Sequence, residues 1–145
     1  MNLNIDSIEL HIEELRIILE MLEFQFDFLC ISESKLQKDI APKTDIDIPG
    51  FQTPLSVPSE ANKGGVLIYV KNEIVFKPRP DLYLYKSKEL ESLFIEIINP
   101  TSKNTIIGSI YRHPSMDTKD FIDNYLKCLV TKLSHEDKCK YIAGN

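Results

Sequence analysis

The spacing of apolar residues in the sequence predicts strands that alternate with helices. Apolar residues recur every three or four positions over residues 8–22, the periodicity of an amphipathic helix with one buried face. A short apolar–polar segment (residues 1–5) precedes this helix, and a nearly continuous apolar run (residues 26–32) follows it. A strand that is apolar on both faces is typical of a parallel sheet covered by a helix. The chain therefore opens with a predicted β-α-β unit.

Two pairs of strands are predicted in the middle of the chain. The apolar runs at residues 66–70 and 73–76 are separated by a tight-turn signal at residues 71–72, which favours a hairpin between them. Residues 93–98 and 105–111 form a second such pair around an Asn-Pro-Thr-Ser turn. We therefore expect two antiparallel hairpins.

A second helix and one more strand are predicted near the end of the chain. Asp117 or Thr118 is the expected N-cap of this helix, and residues 140–143 begin the strand. Residues 37–63 contain four prolines and are predicted to be an irregular stretch that could contain short strands. Six residues of the two predicted helices are expected to be buried against a sheet: Ile12, Leu15, Leu19, Phe121, Tyr125 and Leu129.

The composition is that of one globular domain. The chain has 145 residues, of which 43% are hydrophobic and 27% charged, so residues 1–145 are predicted to form a single α/β domain. No apolar run approaches the ~18 residues that span a bilayer, and no basic-then-apolar leader is visible. Three cysteines lack the spacing of a zinc site or a disulfide framework. We expect an intracellular protein, cytoplasmic or nuclear and not secreted, with no membrane partner; its oligomeric state is open.

The charge distribution limits how the protein can contact nucleic acid. The net charge is −5, and residues 1–60 contain twelve of the 22 acidic residues but only four of the 17 basic ones. A protein that binds nucleic acid mainly through counterion release is basic overall. Any contact with nucleic acid would therefore be local and metal-assisted.

Polar side chains follow the predicted buried strands at the points where those strands end. If the strands lie side by side, these ends converge on one edge of the sheet, where open α/β proteins bind ligands. A carboxylate there suits a hard cation such as Mg²⁺, and Tyr or Arg side chains can donate hydrogen bonds to phosphate. The candidate residues are Asn4, Asp6, Glu33, Tyr111, Arg112 and Asn145.

Each candidate also has a purely structural explanation when it is taken alone. Glu33 could be a solvated carboxylate at a strand end, and Tyr111 a rim aromatic of the core. Asn4 could be a turn residue. His113 lies next to the candidate site in sequence but precedes a proline. The combination of residues is therefore more informative than any one of them.

Five sequence segments, in order along the chain, resemble the motifs of one protein superfamily. Residues 3–8 (Leu-Asn-Ile-Asp-Ser-Ile) and 28–34 (Phe-Leu-Cys-Ile-Ser-Glu-Ser), joined by the amphipathic helix, resemble the opening of that family. Residues 64–70 (Gly-Gly-Val-Leu-Ile-Tyr-Val) resemble its first hairpin strand, and residues 107–114 (Ile-Gly-Ser-Ile-Tyr-Arg-His-Pro) its central tyrosine motif. Residues 141–144 (Tyr-Ile-Ala-Gly) resemble the strand entering its Gly-Asp-Phe-Asn motif. Together these segments resemble the endonuclease/exonuclease/phosphatase superfamily. Within it, the Ser-Glu-Ser and Tyr-Arg-x-Pro segments are most similar to the endonuclease domain of non-LTR (LINE-type) retrotransposons.

The resemblance implies a two-sheet α/β sandwich and a Mg²⁺-dependent endonuclease that hydrolyses phosphodiester bonds in DNA. By this resemblance, Glu33 would hold the Mg²⁺ and Asp6 would support it. Asn4 would orient the phosphate or the attacking water, and Tyr111 would donate a hydrogen bond to the scissile phosphate. Such a reaction is catalysed mainly by positioning and by neutralising charge, which does not require a basic protein.

The sequence also departs from the family pattern. Asn145 stands where the family has the Asp of Gly-Asp-Phe-Asn, and the later aspartate and closing Asp-His pair have no counterpart in the 145 residues. We therefore expect an incomplete domain, truncated before its second half, with weak or absent Mg²⁺ binding and no activity on its own. Two alternatives remain open: weak Mg²⁺-dependent cleavage by these 145 residues, and a non-catalytic remnant or binding module of the same fold. The branch of the superfamily is also open.

Overall fold

The first sheet contains the predicted β-α-β unit. The computed structural model describes residues 1–60 and 63–145. Helix α1 (Ile8–Met21) connects the first two strands, which run parallel, and this confirms the predicted unit. The four strands of this sheet are, in spatial order, β1 (Asn2–Asn4), β2 (Phe28–Ser32), β4 (Val66–Val70) and β3 (Leu55–Val57).

The second sheet follows the chain order of its strands. The two long central strands are antiparallel neighbours, which confirms the second predicted hairpin, and the last strand pairs in parallel with its neighbour. The strands are, in spatial order, β5 (Phe76–Pro78), β6 (Leu90–Ile97), β7 (Thr105–Arg112) and β8 (Cys139–Gly144). A single 3₁₀ turn, Pro80–Leu82, precedes β6.

The second helix is continuous but changes its pitch. It begins as a short α-helical turn, α2 (Thr118–Asp120), widens into a π-helical segment (Phe121–Leu126) and ends as α3 (Lys127–Ser134). Asp117 is its N-cap, since the Asp117 carboxylate accepts a hydrogen bond from the Asp120 backbone N–H at 2.8 Å. In the part of the chain that the structure describes, no helix has the length and apolar character needed to cross a membrane.

The prediction of a hairpin between β4 and the segment that follows it is wrong. Both edges of β4 are occupied by β2 and β3, so the following segment cannot pair with β4. The chain instead turns at Lys71, whose carbonyl accepts the Ile74 N–H at 3.0 Å, and crosses to the second sheet, where β5 pairs with β6. A turn signal specifies a local reversal of the chain, but it does not specify which strand lies next to β4.

Three apolar cores separate four layers in the order helix, sheet, sheet, helix. The outer faces of the two sheets pack against α1 and the second helix, and their inner faces pack against each other. The burial predicted for the two helices is confirmed. Ile12, Leu15 and Leu129 are buried, whereas Leu19, Phe121 and Tyr125 are half-buried and contact the same cores.

Candidate active site

The loops that follow β1 and β2 are held side by side by backbone hydrogen bonds. The Ser7 N–H donates to the Glu33 carbonyl at 2.9 Å, and the Ile8 N–H donates to the Ser34 carbonyl at 3.0 Å. Asp6 and Glu33 both adopt positive φ angles, 49° and 55°, which turn the chain sharply at the end of each strand. These turns bring the side chains of the two loops to the same edge of the first sheet.

Glu33 lies at the centre of a hydrogen-bonded cluster. The Asn4 side-chain N–H donates to Glu33 Oε1 at 2.9 Å, and Tyr111, from the second sheet, lies close enough to Glu33 for the two side chains to interact electrostatically. Burial raises the pKa of Tyr111 to about 12, and the charge and hydrogen bond of Glu33 contribute in the same direction. The Tyr111 hydroxyl is therefore protonated at neutral pH and acts as a donor. The structure brings Asn4, Glu33 and Tyr111 together.

Asp6 lies beside this cluster but is engaged elsewhere. Its backbone N–H donates to Asn4 Oδ1 at 3.3 Å, whereas its carboxylate forms an ion pair with Lys35. The hydrogen bond from Lys35 and the positive charge of that residue lower the pKa of Asp6. The supporting role of Asp6 at a metal stays a prediction.

Asn145 and Arg112 are placed differently relative to Tyr111. Asn145 follows β8 at the same end of β7, because its N–H donates to the Ile110 carbonyl at 3.1 Å and its carbonyl accepts the Arg112 N–H at 2.9 Å. Successive side chains of a strand face opposite sides, so Arg112 points away from Tyr111. Arg112 Nη1 donates to the Met116 carbonyl at 2.8 Å, which anchors the turn before the second helix. The structure therefore does not bring the Arg112 guanidinium to the Glu33 cluster.

Sequence reasoning missed Glu91, a buried carboxylate at the start of β6. Glu91 is 4% exposed and accepts a hydrogen bond from the Gly65 backbone N–H. Burial raises the pKa of Glu91 to about 6, although the Gly65 hydrogen bond acts in the opposite direction. The signal available in the sequence was a charged residue at the start of a segment rich in apolar residues, Leu90–Ile97.

Glu91→Gln is expected to change how stability depends on pH. A raised pKa in the folded state means that the unfolded chain loses its proton first. Wild-type stability should therefore fall, relative to the variant, as pH rises from about 4.5 to about 6. The relative loss should reach about 2 kcal/mol. Urea unfolding of both proteins at pH 4 and pH 7 measures this relative loss of stability. A stability difference between the two proteins that does not vary with pH would contradict the expectation.

The donor atoms of the cluster suit a hard cation. The Glu33 carboxylate, the Asn4 amide and the Tyr111 hydroxyl all offer oxygen, which is the donor type that Mg²⁺ prefers. Within residues 1–60 and 63–145, no group of three or more His, Cys, Asp or Glu side chains is arranged to hold a metal ion. Mg²⁺ commonly binds through one or two carboxylates together with water and phosphate. A site centred on Glu33 is consistent with that mode.

Comparison with solved structures identifies the fold. The chain is similar to the AP endonuclease LMAP from Leishmania major (TM-score 0.69, 18% identity), with 99% of this chain and 53% of that chain covered. It is also similar to the Xenopus laevis APE2 catalytic domain (TM-score 0.53, 15% identity), with 99% of this chain and 56% of that chain covered. A third similar structure is the human Nocturnin catalytic domain with bound sulfate (TM-score 0.56, 15% identity), with 92% of this chain and 56% of that chain covered. No family model and no curated protein matches the chain.

The fold is therefore the two-sheet α/β sandwich of the endonuclease/exonuclease/phosphatase type. The chain spans a little over half the length of these solved structures. At 15–18% identity the likeness establishes the fold and does not establish an activity.

Proposed function

We propose that this chain provides part of a metal-dependent phosphodiesterase site that acts on DNA. The observation that carries the proposal is the cluster in which Asn4 donates to Glu33 and Tyr111, from the other sheet, lies beside the same carboxylate. One of the similar structures, LMAP, is an AP endonuclease by name, which is consistent with DNA as the substrate. The retrotransposon origin is part of the proposal, and the Ser-Glu-Ser and Tyr-Arg-x-Pro segments support it.

Each residue of the cluster has a chemical task in this proposal. Mg²⁺, when bound, would supply positive charge to the phosphate oxygens. Glu33 would hold that ion, and the hydrogen bond between Asn4 and Glu33 would orient the Asn4 amide toward the phosphate or the attacking water. Tyr111, protonated at neutral pH, would donate its hydroxyl proton in a hydrogen bond to a phosphate oxygen. Positioning and charge neutralisation are the main sources of catalysis in phosphoryl transfer.

The 145 residues on their own are proposed to hold only half of this site. Asn145 offers a neutral amide where the family has a carboxylate, which removes one negative charge that would attract the cation. Glu33 then provides the main anionic ligand. Proton transfer from the attacking water also needs a base, which the cluster of Asn4, Glu33 and Tyr111 does not supply. We therefore propose weak Mg²⁺ binding and no cleavage by this chain alone.

Mg²⁺ is expected to bind this chain with a Kd of about 1 mM or weaker, a binding free energy of about 4 kcal/mol or less. An NMR titration at constant ionic strength should shift the amide signals of Asn4, Glu33 and Tyr111, and Glu33→Gln should abolish those shifts. At ~1 mM Mg²⁺ the gain in stability should be only about 0.4 kcal/mol. Glu73→Gln is the matched control, since Glu73 is an exposed carboxylate paired with Lys71.

Two outcomes would contradict this expectation. An unchanged Mg²⁺ response in Glu33→Gln would remove Glu33 as the ligand. A rise of many degrees in melting temperature at ~1 mM Mg²⁺, lost in Glu33→Gln, would show a much tighter site than proposed.

A plasmid-nicking assay tests the reaction itself. With Mg²⁺, and with EDTA as the control, the chain should produce no nicks above background. Mg²⁺-dependent nicking that Glu33→Gln abolishes would overturn the proposed inactivity and establish the reaction in this chain. Binding of duplex DNA that neither EDTA nor Glu33→Gln affects would instead favour a non-catalytic binding module.

A further inference from the structure

Glu91 is a buried carboxylate that has no cationic partner among the described residues. Within residues 1–60 and 63–145 no ion pair involves Glu91. Glu96, which is equally buried on the same strand, is paired with Arg79 and Lys138. The two carboxylates face opposite sides of the second sheet, because they are an odd number of residues apart. Ion pairing therefore accounts for Glu96 but not for Glu91.

The contacts of Glu91 lead directly to Glu33. The Glu91 carboxylate accepts the Gly65 N–H, which fixes the segment that enters β4. The carbonyls of this segment accept two backbone N–H groups: Ser34 donates to Gly65 at 3.1 Å, and Lys35 donates to Gly64 at 2.9 Å. Ser34 is the residue directly after Glu33. The backbone of the Glu33 loop is thus held against a segment that Glu91 anchors.

Glu91 also lies against Tyr111. The two residues are paired across β6 and β7, so their side chains lie on the same face of the sheet. A Cβ atom added to Gly64 would lie 2.6 Å from Glu91 Oε2 and 3.1 Å from Tyr111 Cε1, and Gly64 has φ +87°. The absence of a side chain at Gly64 is what allows Glu91 and Tyr111 to pack around this backbone.

We propose that Glu91 is a positioning residue of the candidate site, whose carboxylate reaches the Gly65 N–H and so sets the relative placement of Glu33 and Tyr111. This inference rests on the proposed function for its consequence, the geometry of a metal and phosphate site. The geometric part concerns only contacts within the chain. The length of the Glu91 side chain, which we call its reach, is the important property. Shortening this side chain should therefore disturb the geometry of the site more than removing its charge.

Two substitutions separate reach from charge. Glu91→Asp keeps the carboxylate but shortens the side chain by one methylene, so it loses the Gly65 N–H. Glu91→Gln keeps the length and an acceptor oxygen but removes the charge. Glu96→Asp is the matched control, since it shortens an equally buried carboxylate of the same strand on the opposite face.

The measurements are the ring signals of Tyr111 in protein labelled with ring-¹³C tyrosine, and the Kd for Mg²⁺ from the amide shift of Glu33. In Glu91→Asp we expect the Tyr111 signals to move and the Kd to weaken about tenfold, the scale observed when a residue that orients a metal ligand is removed. Glu91→Gln should keep the wild-type Tyr111 signals and a Kd within about twofold. Glu96→Asp should leave both unchanged even if it lowers stability.

The outcomes distinguish the two proposals. If Glu33→Gln leaves the Mg²⁺ response intact, the metal site fails, and the Tyr111 signals of Glu91→Asp still test the positioning role. Unchanged Tyr111 signals and Kd in Glu91→Asp would overturn the inference, as would equal changes in Glu96→Asp. If Glu91→Asp does not fold, Glu91→Gln decides the question, because a tenfold weaker Kd in this variant would show that reach is not what matters.

Discussion

Arg79→Ala is expected to lower the free energy of unfolding by about 3 kcal/mol or more at neutral pH. Arg79 Nη1 donates to Glu96 at 2.8 Å and to Glu136 at 3.0 Å, and its other nitrogens bind Asp81 at 2.7 and 2.8 Å. Glu96 is only 2% exposed, so the variant would leave a buried carboxylate without its arginine. Breaking one partner of such a pair is costly because the remaining charge stays desolvated.

The effect of Arg79→Ala should depend on pH. Burial opposes ionisation of Glu96, but hydrogen bonds from Asn104, Lys138 and Arg79 outweigh it and lower its pKa to about 2. The hydrogen bond from Arg79 is the main cause that lowers the pKa of Glu136 to about 2 as well. A lowered pKa stabilises the fold above the unfolded value of about 4.5, and this contribution is lost as the pH falls toward 2.

Urea unfolding of wild type and Arg79→Ala from pH 7 to pH 3 measures this dependence. The difference between the two proteins should be largest near neutral pH and should shrink in acid. Lys127→Ala is the control, since Lys127 is 68% exposed and its pair with Asp123 should contribute less than about 0.5 kcal/mol. A difference of less than about 1 kcal/mol at neutral pH, below the range for a broken buried pair, would contradict the importance of this network.

Phe94→Ala is expected to cost about 3–5 kcal/mol, because the ring of Phe94 is fully buried between the second sheet and the second helix. Phe94 is paired with Gly108 across β6 and β7. A Cβ atom on Gly108 would lie 2.7 Å from Phe94 Cδ1 and 2.9 Å from Cζ, closer than real contacts allow. The ring therefore occupies the space that the glycine leaves open.

The effect of Gly108→Ala on the free energy of unfolding should consequently depend on Phe94. In the wild type it should destabilise by about 1–3 kcal/mol through overpacking, whereas in the Phe94→Ala background it should be nearly neutral. A double-mutant cycle by urea unfolding measures this coupling. Leu10→Ala is the control for apolar truncation, since Leu10 is 76% exposed. Additive effects of the two changes would show that the ring is not what restricts residue 108.

The candidate site could be predicted in part. Asn4, Glu33 and Tyr111 each follow or end an apolar run, and the ends of neighbouring strands meet at one edge of a sheet. The directions in which the side chains point were harder to predict from the sequence. Arg112 adjoins Tyr111 in sequence but faces the opposite side of β7, where it binds the Met116 carbonyl. Adjacency in a strand implies opposite faces, so neighbouring residues of a motif need not share a site.

The helices, most of the strands and the parallel β-α-β opening could be predicted from the amino-acid sequence alone. Periods of two and of about 3.6 report which faces of an element are apolar, and this is a local property of the chain. Three features became known only from the folded chain: β5 joins the second sheet, Glu91 anchors the Gly65 segment, and Phe94 fills the space over Gly108. These features join residues distant in the chain, and their energies depend on which surfaces meet after folding. Local periodicity does not contain that information.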